Sequence, residues 1–163
     1  MEWKNLFSNI VDLYAQKSKC SKIKVGAIVV RHNRIISTGY NGSPSDKEHC
    51  NDYFNNLYEY YYSNKMTYEE FFNSETFLEL HSDFSNKNEL HAEANAIMFA
   101  HQDLNDCEIY ISYSPCLYCA KLIVASKIKK VYYNNIYKEG EGIELLKQNN
   151  IICEYINNKE DKE

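Results

Sequence analysis

The sequence predicts an α/β fold in three layers, a mixed five-stranded sheet between helices. Three observations carry this expectation. Short β-branched runs recur five times, with apolar stretches of helical spacing among them. The first two runs adjoin across a tight polar turn, which makes an antiparallel hairpin. Each of the last three is separated from the next by a helical stretch, the pattern of parallel strands. The 163 residues suffice for one sizeable core and not for two ordinary domains. A single domain over residues 1–163 is therefore expected.

The elements follow in order. Residues 3–16 place Leu6, Phe7, Ile10, Val11 and Tyr14 on one helical face. Residues 24–30 (Val25, Ala27, Ile28, Val29, Val30) and 34–40 (Ile35, Ile36, Thr38) form the hairpin, with His32-Asn33 as its turn. The run Gly39-Tyr40-Asn41-Gly42-Ser43-Pro44 closes it in a loop. Residues 46–90 read as a helical insert with two short helices, 51–63 and 67–80, rich in Tyr and Phe. Then follow a helix from His91 to His101, a strand at 108–112, a helix at 115–126 opened by Pro115, a strand at 130–134, a helix at 141–149 and a strand at 151–156. Residues 157–163 read as a charged, fraying tail.

Charge limits the partners. With 18 basic and 23 acidic residues the net charge is −5, without the electrostatic footprint of a polynucleotide or anionic-membrane binder. A small anion held by local cations stays open. No apolar stretch approaches the ~20 residues that span a bilayer. The first seven residues lack a basic region followed by an apolar run, so no signal peptide is expected. The expected location is a reducing cytoplasm, where the six cysteines are metal ligands or buried thiols and not disulfides.

Two strings carry the chemistry. His91-Ala92-Glu93 opens one helix and Pro115-Cys116-Leu117-Tyr118-Cys119 opens the next. One imidazole and two thiolates fill three positions of a tetrahedral zinc and leave the fourth for water. Cys116 and Cys119, three apart at a helix N-terminus, share a face where the helix dipole favours thiolate. Glu93 lies about 200° around the helix from His91. It is therefore suited to moving protons beside the metal, not to joining it as a ligand. The two strings together are the signature of the zinc deaminases.

Around these motifs the sequence resembles the bacteriophage-type branch of the deoxycytidylate (dCMP) deaminases, in the cytidine deaminase superfamily. The resemblance runs from about Lys17 to Ile152. It is carried by Lys24-Val25-Gly26-Ala27, Gly39-Tyr40-Asn41-Gly42-Ser43-Pro44, His91-Ala92-Glu93 with Asn95-Ala96-Ile97, Ser114-Pro115-Cys116, Cys119-Ala120-Lys121 and Ile128-Lys129-Lys130. The stretch from His81 to Glu89 is similar to the phage-type branch in particular.

The resemblance implies a cytidine-deaminase-like fold and hydrolysis of dCMP to dUMP and ammonia, feeding thymidylate synthesis. Water attacks carbon 4 of cytosine. Glu93 takes the water proton, protonates ring nitrogen 3 and later delivers a proton to the departing ammonia. A deaminase acting on dCTP as well as dCMP is the enzymatic alternative, and a non-catalytic zinc interaction module the remote one. A second, structural zinc is implied at Cys20, Cys50, His81 and Glu89, with His49 as an alternative ligand beside Cys50. Cys107 and Cys153 are left as buried thiols.

Substrate contacts are implied at Val25, Asn41, Ala92 and Ser114, and Val25 reads equally well as strand core. Lys22, Lys24 and Ser43 are candidates for the 5′-phosphate. The resemblance further implies a homohexamer activated by dCTP and inhibited by dTTP, with effector contacts at Gly39, Tyr40, Gly42 and Phe99. Phe99 also reads as plain core. Ala100-His101-Gln102 lacks the basic residue of the phage-type pattern, so dCTP can be effector, substrate or both. The implied location is the host cytoplasm if the source is viral.

Overall fold

The computed structural model describes residues 2–137 and 140–156. The expected tail, 157–163, lies outside them. The chain runs α1 (Trp3–Ala15), β1 (Gly26–Arg31), β2 (Arg34–Tyr40), α2 (Cys50–Leu57), a π-helical turn (Tyr58–Tyr62), α3 (Tyr68–Phe72), α4 (Glu75–Asn88), α5 (Ala92–Phe99), β3 (Glu108–Ile111), α6 (Leu117–Ala125), β4 (Lys130–Tyr133), α7 (Glu141–Gln148) and β5 (Ile152–Tyr155).

The five strands form one mixed sheet in the order β2-β1-β3-β4-β5. β1 pairs antiparallel with β2 and β3, whereas β3, β4 and β5 are mutually parallel. His32 and Asn33 both take positive φ (50° and 58°), which matches the right-handed twist of a two-residue hairpin. Alternation along β1 sends Ala27 and Val29 to one face and Ile28 and Val30 to the other. On the first face they meet Ala92, Ala96, Ala120, Ile123 and Leu146 from α5, α6 and α7. On the second they meet Phe7 and Val11 of α1, with Tyr110, Tyr132 and Ile156. The sheet is therefore covered on both sides, as three layers require.

Three elements differ from the sequence expectation. The second helix of the 46–90 segment is broken at Asn73-Ser74: Thr67 and Glu70 form a reciprocal capping box on the short α3, and Ser74 caps a new helix running to Asn88. The first ends in a π-helical turn at Tyr58–Tyr62 instead of continuing as α-helix. Pro115 is not the first residue of α6, because Cys116 is its N-cap, with an extended backbone (φ −69°, ψ 168°). The 46–90 segment also has its own apolar cluster. Phe54, Tyr58, Phe71, Phe77 and Phe84 pack together with Cys50 and with Cys20 from before β1.

Candidate metal centre and active site

His91 is the N-cap of α5 and Cys116 the N-cap of α6. The two helix starts face each other at the same end of the sheet. The His91 Nδ1 atom stands 3.6 Å from Cys116 Sγ and 3.3 Å from Cys119 Sγ. A nitrogen and a sulfur bound to one tetrahedral zinc stand about 3.6 Å apart, given bonds near 2.0–2.1 and 2.3 Å. The trio therefore fits zinc in donor type and in spacing. The thiols also fit in charge. Cys119 hydrogen-bonds Cys116 and lowers it to about 4, with the His91 ring helping against desolvation. Cys119 is correspondingly pushed up, so the pair holds one proton that a cation would displace.

Glu93 is not among the three ligands, and it is 5 % exposed. Burial raises its carboxyl above the usual carboxylate range, with the neighbouring His91 opposing that shift. It sits in the first turn of α5, among the unpaired amides of the helix start. A buried carboxyl that accepts and holds a proton beside a metal is the arrangement that hydrolytic deamination needs.

A second cluster brings together Cys20, Cys50, His81 and Glu89, whose ligand atoms lie within 4.8 Å of one another. Cys20 Sγ is 3.2 Å from His81 Nε2. Cys50 holds Cys20 at about 4 through a hydrogen bond, and is itself pushed up. Glu89 supplies the strongest sign of a cation. Its Oε1 is buried with no hydrogen-bond partner, and burial beside the Cys20 thiolate raises its carboxyl. A buried oxygen in that state is costly unless a cation or donor meets it. Two thiolates, one imidazole and one carboxylate make a closed tetrahedral set.

The sequence of residues 1–135 matches the profile of the cytidine and deoxycytidylate deaminase zinc-binding region. The chain belongs to this deaminase family. Deoxycytidylate deaminase of Enterobacteria phage T2 is 38 % identical over 151 residues, covering 81 % of this chain and 79 % of that one. The Homo sapiens deoxycytidylate deaminase is 32 % identical over 138 residues, covering 82 % of this chain and 65 % of that one. Among solved structures, dCMP deaminase of cyanophage S-TIM5 in complex with dCMP and dUMP aligns with a TM-score of 0.70 at 29 % identity. That alignment covers 94 % of this chain and 96 % of the other.

The remaining positions expected in this deaminase fall as follows. Asn41 turns its side chain to the backbone. Its Oδ1 accepts from Val25 N–H (2.8 Å), and its Nδ2 donates to Ile23 C=O (2.9 Å). Val25 is half-buried and packs on the core of the first face. Ala92 is fully buried. The hydroxyl of Ser114 accepts from Tyr137 N–H at 2.8 Å. Gly39 packs on α5, where an added Cβ would overlap the Ala92 carbonyl oxygen. The Tyr40 carbonyl accepts from Asn95. Phe99 is 68 % exposed, which removes its reading as core. Cys153 is half-buried, against the expectation of a buried thiol, because β5 is an edge strand. His49 is the N-cap of α2 and stands outside the second cluster.

Two clefts adjoin these sites. One of about 240 Å³ runs along Asn41, Gly42 and Ser43 to Cys50 and Glu89, and its cations are Lys17 and Lys19, not Lys22 or Lys24. The other, about 450 Å³, is lined by Pro115, Cys116, Tyr137, Glu141 and Gly142. Sequence reading missed Lys17, Lys19, Tyr137 and Gly142. Only Gly142 left a signal there, as a glycine inside a predicted helix.

Proposed function

We propose that this chain hydrolyses dCMP to dUMP and ammonia. The observation that carries the reading is the His91–Cys116–Cys119 trio with the buried Glu93 beside it. Similarity to a cyanophage enzyme solved with dCMP and dUMP supports the substrate. A zinc ion held by His91, Cys116 and Cys119 would supply the Lewis acid that brings the pKa of an attacking water down to about 7.

The chain's own residues do the rest. Glu93 accepts one proton of the water that attacks carbon 4 and passes it to ring nitrogen 3. It then takes the remaining proton of the hydroxyl on carbon 4 and delivers it to the amino group, which leaves as ammonia as the carbonyl forms. Its raised carboxyl pKa suits a group that must hold a proton between those steps. The buried Ala92 amide and the Ser114 carbonyl read the pyrimidine edge, and Val25 packs on the ring. Asn41 keeps that wall in place through Ile23 and Val25, while its carbonyl oxygen retains capacity for one further donor from the sugar.

The reading extends to a second, structural zinc on Cys20, Cys50, His81 and Glu89, supported by the unpartnered Glu89 oxygen. It also includes a homohexamer with dCTP as activator and dTTP as inhibitor, acting in the cytoplasm. Exposure of Met98 and Phe99 on α5 supports a contact surface there. Among the described residues no helix is long and apolar enough to cross a membrane.

The test offers dCMP, dCTP, deoxycytidine and cytidine separately to the zinc-loaded protein and follows ammonia release. Turnover of dCMP is expected. Comparable turnover of dCTP would replace this reading by the bifunctional one. No turnover of any of the four, with dCTP also tried as activator, would overturn it. Light scattering checks the hexamer.

A further inference from the structure

The segment between β2 and α5 leaves the layers of the sheet and rejoins them at one place. Gly42, just after β2, and Leu90, just before α5, form an antiparallel bridge. They exchange both backbone bonds: Gly42 N–H donates to Leu90 C=O at 3.1 Å, and Leu90 N–H to Gly42 C=O at 2.9 Å. The helices between pack on one another around Phe54, Phe71 and Phe77, apart from the two clusters that flank the sheet. The base of the segment is therefore where it is mechanically tied to the core.

Leu90 stands between the two metal clusters in the chain. Glu89, on its left, belongs to the second; His91, on its right, to the first. In extended chain, residues two apart are separated by only about 7 Å. Gly42, opposite, follows Asn41, which holds Ile23 and Val25. One two-residue ladder thus joins Glu89, His91 and the Val25 wall. Glu89 Oε1 has no hydrogen-bond partner, so an ion would be its anchor.

We propose that Leu90 is a positioning residue: through its two-way pairing with Gly42 it fixes His91 against Cys116 and Cys119 when the Cys20–Cys50–His81–Glu89 cluster holds its ion. This rests on the second zinc proposed above. Binding of Glu89 immobilises the residue before Leu90, the ladder immobilises Leu90 itself, and His91 enters α5 from a fixed point.

The test uses the zinc-loaded full chain and two variants. Readouts are zinc per chain, hydrogen exchange at the Gly42 and Leu90 amides, and the rate at which a chelator captures the zinc of the trio. His81→Ala removes a ligand of the second cluster only. It should lower the count from two zincs to one, speed exchange at both amides about tenfold, and speed capture of the remaining zinc about tenfold, the lower end for losing an outer support. Leu90→Pro keeps every ligand and removes the Leu90 N–H. Glu89 is already extended (φ −101°, ψ 139°) and accommodates a following proline. This variant should hold two zincs and lose that of the trio about tenfold faster, with the other unchanged.

Wild-type capture rates in Leu90→Pro would overturn the proposal and leave the second zinc standing. That variant decides alone if His81→Ala does not fold. A wild-type chain that saturates at one zinc would instead overturn the second-zinc reading and the proposal with it.

Discussion

Gly142 and Pro115 meet backbone to backbone. A Cβ on Gly142 would overlap the Pro115 carbonyl oxygen and stand 3.0 Å from the carbonyl carbon and oxygen of Cys116. The start of α7 is thereby seated on the peptide that carries the candidate metal ligand Cys116. Gly39 has the same relation to α5, against Ala92 and Ala96. Each helix that presents the trio is therefore held at its first turn by a glycine from a different element.

Gly142→Ala should displace Cys116 or α7, because neither neighbour is a flexible side-chain end. Overpacking of this kind costs about 1–3 kcal/mol. The expected result is a lower melting temperature and faster zinc loss, with the circular dichroism of the fold retained. A variant with wild-type zinc retention would show that the contact does not position Cys116.

Glu93→Gln should retain zinc, since Glu93 is outside the trio, and lose turnover by about a hundredfold to ten-thousandfold. Metal content and ammonia release, measured on one preparation, separate the two effects. Loss of the zinc along with turnover would instead make Glu93 a ligand.

The trio and Glu93 were legible in the sequence because their spacing is local. His91 and Glu93, like Cys116 and Cys119, lie within one turn of a helix, and the chemistry of the residue types does the rest. The hairpin was legible through His32-Asn33 and the strands through their β-branched runs. The break between α3 and α4 lies at Asn73-Ser74, where the Ser74 side chain caps α4, and apolar spacing alone runs one helix through it. The π-helical turn at Tyr58–Tyr62 has no local signature. Its Tyr58 and Tyr62 rings pack on Phe71 across the segment. Gly142, Lys17 and Leu90 depend on which backbones the fold brings together, which no local pattern encodes.

Phe54 is fully buried and packs with Phe77, Phe84 and the His81 ring, at centroid distances of 5.0, 5.6 and 5.6 Å. Phe54→Ala should cost about 3–5 kcal/mol within this segment. Because the cluster is separate from the core on the sheet, limited proteolysis should cut first between residues 50 and 88. Cleavage beginning in the sheet would contradict that separation.

Stability should fall at alkaline pH through Tyr110 and Tyr132, which stack at 4.5 Å on the α1 side of the sheet. Burial raises both phenols above their ordinary value. A folded-state pKa above the unfolded one means that the contribution is complete below about pH 10. It is lost as pH rises beyond that value toward the folded-state pKa. Urea unfolding from pH 8 to 11 should show the decline, and Tyr110→Phe should make it shallower. An identical slope in the variant would assign the loss to other groups.

The Gly42–Leu90 bridge has a consequence for descent as well as for mechanism. An antiparallel pair can be joined by a two-residue turn as readily as by a long excursion. The sheet, its covering helices and the His91–Cys116–Cys119 trio would close with a two-residue turn in place of residues 43–89. Lineages can accordingly lengthen, shorten or exchange this segment as a cassette while the deaminating core is inherited intact. What such an exchange removes is Cys50, His81 and Glu89, so the second cluster of candidate ligands is gained or lost with the segment in a single genetic step.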